Sequence, residues 1–77
     1  MVIPKGNYIN YLDFTTNAPA EIISNFFIKV GEIAKDLKID QSGFRFITNN
    51  GNDAHQTVKH FHVHLLAGKK LGPLINN

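Results

Sequence analysis

The chain has no cysteine, so no disulfide framework and no thiolate metal site is possible. It has no apolar run long enough to span a bilayer. Met1-Val2-Ile3-Pro4-Lys5 is not followed by the apolar core of a signal peptide, so the chain reads as soluble and cytoplasmic. It lacks a run of like charge. Eight Lys+Arg against six Asp+Glu leave a formal charge of +2, and the pI near 9.1 reflects scattered lysines. Nucleic-acid binders cluster their cations on one face, so neither nucleic acid nor membrane is an expected partner, whereas a mild positive potential suits a small anionic ligand. Internal repeats, linkers and any sign of a second domain are also missing.

What remains is 77 residues, 43% hydrophobic and 18% charged, the balance of a folded chain rather than a disordered one. The whole length, 1–77, reads as one small domain. A domain this short buries a modest share of its surface, and a second copy often completes the core.

Met1-Val2-Ile3 is a short apolar start stopped by Pro4, which cannot donate to a sheet ladder and marks a strand end or edge. Lys5-Gly6-Asn7 is a turn. Tyr8, Ile9, Tyr11, Leu12 and Phe14 have too little periodicity to assign. Thr15-Thr16-Asn17-Ala18-Pro19 with Glu21 forms a helix-start signal. From Ile22 the apolar residues Ile22, Phe26, Val30, Ile33 and Leu37, with Ile23, Phe27 and Ala34, make a broad stripe of helical period. Lys35 and Lys38 sit where cations suit the helix dipole. Gly43 ends that region. Phe44–Asn49 is rich in aromatic and β-branched residues and reads as a strand. Asn50-Gly51-Asn52-Asp53 is dense turn chemistry, and Gln56-Thr57-Val58 opens a second strand that runs to Leu66. The two strands are expected to be antiparallel neighbours joined by a loop long for a hairpin, the kind that holds ligands. Gly68–Asn77 is a polar tail broken by Gly and Pro. The fold class is therefore α+β: an antiparallel sheet with one long helix packed on it.

Along a strand, side chains alternate between faces. His60, His62 and His64 are thus expected to share one face, and Phe61, Val63 and Leu65 the other, in a core. Three imidazoles in a row are hard to explain by packing. One reading is metal binding, since neutral imidazole is a common zinc ligand. Same-face neighbours about 7 Å apart are awkward for it, because a third ligand usually comes from elsewhere. The other is phosphoryl or nucleotidyl transfer, in which one imidazole attacks phosphorus and its neighbours bind the phosphate oxygens.

Four segments tip the balance. The His60-Phe61-His62-Val63-His64-Leu65-Leu66 run resembles the signature of the histidine-triad (HIT) family. Asn49-Asn50-Gly51-Asn52-Asp53 with Gln56-Thr57-Val58 is similar to the family's Asn-x-Gly-x-x-x-x-Gln-[Ser/Thr]-Val segment. Val2-Ile3-Pro4-Lys5 and Gly68-Lys69-Lys70-Leu71-Gly72-Pro73 look like its strand end and bacterial tail. The resemblance spans essentially the whole chain, in order.

It implies a nucleotide hydrolase or transferase acting at the α-phosphate of AMP-type phosphoramidates. His62 would be the nucleophile, passing through a nucleotidyl-histidine. His64 would hydrogen-bond the phosphate or bridging position, and His60 would orient His62 through its backbone carbonyl. Asn49, Gln56 and Thr57 would bind phosphate and leaving-group oxygens. The expected ligand is AMP-like, the expected assembly a homodimer, and no cofactor or metal is implied. Two departures stand out. Asn7 replaces the family's fourth histidine, and His55 stands where a small residue, often glycine, is usual. The family's N-terminal helix and strands, which supply the base pocket and the acid that holds the ribose, have no counterpart here. The chain is expected to correspond to the C-terminal two-thirds of the family domain, which leaves two alternatives open: a nucleotide- or phosphate-binding fragment of little or no activity, and a metal-binding module using the histidine stripe.

Overall fold

The structure, a computed structural model, describes residues 1–70 and 72. Positions 71 and 73 of the tail motif lie outside the described residues. The elements run α1 (Tyr11–Asn17), α2 (Ala20–Asp36), β1 (Arg45–Ile47) and β2 (His64–Leu66). The architecture is α+β, with a two-stranded antiparallel sheet that pairs Arg45 with Leu66, Phe46 with Leu65 and Ile47 with His64. None of the described helices is long and apolar enough to cross a membrane.

Helix α1 was not expected. It is too short to show a period, and it starts by local chemistry. Asn10 is the N-cap, its Oδ1 accepting from the Asp13 N–H at 2.8 Å. Asp13 Oδ2 accepts from the Ile9 N–H at 2.8 Å, and Oδ1 accepts from Asn17 Nδ2 at 2.6 Å. These hydrogen bonds, the backbone one foremost, favour the ionised carboxylate and hold Asp13 below its ordinary value. Thr15, Thr16 and Asn17 lie inside this helix rather than capping the next one. Pro19 takes the cap position of α2, without a side-chain bond. Its fixed φ and missing N–H suit a helix start.

Helix α2 buries Phe26, Val30 and Ala34, one residue per turn on one face. Glu21 near its start and Lys35 near its end oppose the helix dipole. Lys38 follows the C-cap in a left-handed conformation, φ 60, while Ile39 N–H reaches back to the Ala34 carbonyl at 3.1 Å.

Residues from both ends of the chain close the core. Phe14, Ala18, Phe26, Val30, Phe61 and Val63 form one buried cluster, against which Val2, Tyr8, Ile23 and Leu65 pack. Phe14 stacks on Phe61 with ring centroids 4.8 Å apart, and Phe26 meets both rings at 5.4 and 5.5 Å. Such aromatic contacts add to the area they bury. Val2 and Val63 exchange backbone hydrogen bonds of 2.8 and 2.9 Å, and Phe61 N–H donates to the Tyr8 carbonyl at 2.7 Å. The N-terminal segment is therefore the partner of residues 61–63.

That pairing corrects the expected long second strand. Regular strand covers His64–Leu66 alone, and residues 56–60 bend away from it. The in–out alternation survives from 61 to 64, because Phe61 and Val63 are buried while His62 and His64 are half-buried. Leu65 packs on the core, and Leu66 is exposed.

Phe61 contacts α1 and α2 at once, so Phe61→Ala removes the hub of the aromatic cluster. The expected cost is about 3–5 kcal/mol, a large part of the ~5–15 kcal/mol typical of a small domain. Urea unfolding followed by circular dichroism should show a collapsed transition. A midpoint within a few tenths molar of wild type would refute Phe61 as the hub.

Candidate functional site

Because Phe61 and Val63 point into the core, the side chains between and after them face outward. His62 and His64 meet edge-on, with centroids 5.0 Å apart and planes at 88°. His62 Nδ1 lies 2.8 Å from the His60 carbonyl oxygen. A carbonyl can only accept, so Nδ1 carries the proton and Nε2 keeps its lone pair. The same residue is held from behind by Thr48, whose hydroxyl donates to the His62 carbonyl at 2.8 Å. Thr48 directly follows β1 and was missed in the sequence. A β-branched residue at a strand end carries no signal that its hydroxyl has a partner 14 residues away.

His60 does not stand in the stripe. Its ring nitrogens face two carbonyl oxygens, Nδ1 that of Phe61 at 3.0 Å and Nε2 that of Gly6 at 3.1 Å. A neutral ring has one N–H, so one of these two contacts is a hydrogen bond, and the imidazole is turned onto the backbone beside the Lys5–Asn7 turn. Gly6 is required there. It has φ 106, and a Cβ on it would come 2.9 Å from the Tyr8 ring. Asn7, in the place of a fourth histidine, is exposed.

The loop between β1 and the histidines is organised by Gln56, the one buried polar residue of the described core, at 6% exposure. Its Oε1 accepts from the Gly51 N–H at 2.8 Å, and its Nε2 donates to the carbonyls of Ile9 at 2.6 Å and Val58 at 3.0 Å. Both amide hydrogens are engaged. In this arrangement Gln56 has none left for a phosphate, and it shapes the loop rather than lining its surface. Asn49 donates from Nδ2 to the Ala54 carbonyl at 2.8 Å, which leaves its Oδ1 and second N–H without a side-chain bond among the described residues. Thr57 is exposed, and its hydroxyl bonds to no other described residue. Asn50 Oδ1 accepts from the Leu12 N–H at 3.1 Å and joins the loop to α1. His55 holds a left-handed φ of 59 in this loop, a conformation that histidine tolerates better than most residues.

The structure thus sets His62 beside His64 and ties the His62 backbone to Thr48, at the start of the loop that carries Asn49 and Thr57. It turns the His60 ring onto the backbone and uses Gln56 as a brace within the loop. Among the described residues no three His, Asp or Glu side chains gather closely enough to hold a metal ion. The metal-module alternative therefore has no third ligand in view. Chemically, the arrangement offers one imidazole nitrogen free to attack and a second imidazole beside it.

Comparison with known proteins points the same way. The HIT domain family model matches residues 1–71. An uncharacterized HIT-like protein of Rickettsia prowazekii is 48% identical over all 77 residues, which span 64% of that protein. A 13.2 kDa uncharacterized HIT-like protein of Azospirillum brasilense is 43% identical over 75 residues, covering 97% of this chain and 62% of that one. Among solved structures, a HIT family hydrolase from Clostridium thermocellum superposes with a TM-score of 0.79 at 39% identity, over 96% of this chain and 64% of that one. A histidine triad protein from Clostridium difficile gives 0.78 at 41%, over 95% and 63%. The chain spans less than two thirds of each of these four proteins.

If Gln56 is the brace of the loop, Gln56→Leu orphans a buried N–H and two carbonyls. The expected loss is about 1–3 kcal/mol. Hydrogen exchange of the Gly51 amide should speed up by tenfold or more, since ~1.4 kcal/mol corresponds to a factor of ten. Unchanged Gly51 protection would show that the loop holds its shape without the side chain.

Proposed function

This chain belongs to the HIT domain family, and from that premise we propose that it is a hydrolase of AMP-type phosphoramidates acting through His62. The carrying observation is the 2.8 Å contact between His62 Nδ1 and the His60 carbonyl. It selects the tautomer whose Nε2 lone pair can attack phosphorus. Attack on the α-phosphorus forms an N–P bond and breaks the bond to the leaving amine, which departs with a proton supplied by water or by His64. Water then attacks the nucleotidyl-histidine, AMP leaves, and His62 regains its starting form. The neighbouring His64 and the free groups of Asn49 and Thr57 are the groups suited to the phosphate oxygens.

Incubation with an adenosine phosphoramidate should release AMP, and His62→Ala should lower the rate on the order of 10³-fold or more, because the covalent route disappears. An unchanged rate in His62→Ala would sink this mechanism. Binding of AMP without any release by the wild-type chain would favour the alternative, a nucleotide-binding protein of little turnover.

The same reading includes a two-fold dimer. β1 is one of the two edges of the described two-stranded sheet, and unpaired edges invite a further strand. Beside it Phe27 and Phe46, with centroids 6.0 Å apart, are 37% and 42% exposed. A second copy laid along β1 would cover both rings. Sedimentation at micromolar concentration should give a dimer that Phe27→Glu converts to monomer. A monomeric wild type would overturn this assembly.

A further inference from the structure

At the other end of the sheet from the histidine site, two adjoining hollows of ≈ 260 and ≈ 410 Å³ share Ser42, Gly43, Lys69 and Lys70 as walls. Arg45 lines the smaller and Gly68 the larger. Three of the eight cationic side chains of the sequence thus meet in one cleft, and none of the lining residues is acidic. Among the described residues the one ion pair is Lys29 with Glu32 on the exposed face of α2, so the three cations are not neutralised within the described part. Arg45 is half-buried, and its Nη2 donates to the Gly72 carbonyl, which fixes the guanidinium and leaves its other N–H groups available. The approach is open as well. A Cβ on Gly43 or Gly68 would meet nothing within 4 Å.

We propose that this cleft is a second anion site, which takes a small ligand carrying adjacent phosphate groups. Three like charges around a few hundred cubic ångströms attract one another's counterion more than they tolerate each other, and a multiply charged anion answers all three. Ser42 adds a neutral donor of the kind phosphates accept. Of the other five cations, Lys29 and Lys35 lie on α2 and Lys38 just past its end, while Lys5 and Lys59 lie apart from it and from each other. They form no sequence run that would extend the cleft along a polymer, which favours a small ligand over a nucleic acid. The site is separate from the histidines. Arg45 pairs with Leu66, whereas His64 pairs with Ile47, two residues or about 7 Å further along the strands.

The test is a titration with sodium pyrophosphate at low ionic strength, read by amide chemical shifts of wild type, His62→Ala and Lys69→Ala/Lys70→Ala. Saturable shifts at Gly43, Phe44, Leu66 and Gly68 are expected, and they should persist in His62→Ala. The double lysine variant should bind about 25-fold more weakly, roughly fivefold for each exposed charge. Affinity should also fall as salt is raised from about 0.05 to 0.2 M. Both lysines are exposed, and a well-dispersed spectrum of the variant confirms that it is folded. Shifts confined to Asn49–Thr57 and His60–His64, or equal binding by the lysine variant, would overturn the proposal. So would tighter binding of a single-stranded oligonucleotide than of pyrophosphate.

Discussion

Burial of Phe61 and Val63 is the constraint on which the rest depends. Both are essentially sealed from solvent, and each is tied by backbone hydrogen bonds to the N-terminal segment. The Phe14, Phe26 and Phe61 rings then join the two helices to the histidine segment. With the flanking positions committed to the core, strand geometry leaves His62 and His64 no choice but to face outward. The outward face of the site is therefore set by packing on the opposite side of the same four residues.

Once outward, the histidines are aimed by backbone groups more than by other side chains. The His60 carbonyl orients His62, Thr48 grips the His62 carbonyl, and His60 reaches the Gly6 carbonyl. Gln56 does the same for the loop, with one acceptor and two donors each matched to the main chain. Buried polar groups that are fully paired specify one arrangement, whereas a partly paired one would be costly. Among the described residues no buried side-chain polar atom lacks a partner.

The aromatic core also explains why so little regular strand suffices. β1 and β2 contribute three residues each, and a two-stranded ribbon alone is marginal in water. Here the ribbon is held against α2 by Phe46 over Phe27 and by Leu65 against the core. Phe27 and Phe46 stay part-exposed beside β1, and the cleft of Arg45, Lys69 and Lys70 lies at the Arg45–Leu66 end of the same ribbon.

Much of this was legible in the residues alone, and the division follows the range of the interactions. The stripe of α2, the strand at Phe44–Asn49, its antiparallel partner and the inward Phe61 and Val63 all rest on local period, which a sequence displays directly. The resemblance carried by the Val2–Lys5, Asn49–Val58 and His60–Leu66 segments pointed to the family that comparison then showed. Helix α1 was hidden because seven residues with one buried side chain, Phe14, have no period to read. The late start of the second strand, the departure of the His60 ring from the stripe and the burial of Gln56 were hidden for another reason. Each is decided by a carbonyl of the N-terminal segment, in the last two cases 54 and 47 residues away, and no local pattern encodes so distant a partner. By itself the sequence determined which side chains of 61–64 go inward and which family the chain belongs to. Only the tertiary structure decided which histidine presents a free nitrogen and which is bound to the backbone, because that choice belongs to hydrogen bonds between distant segments.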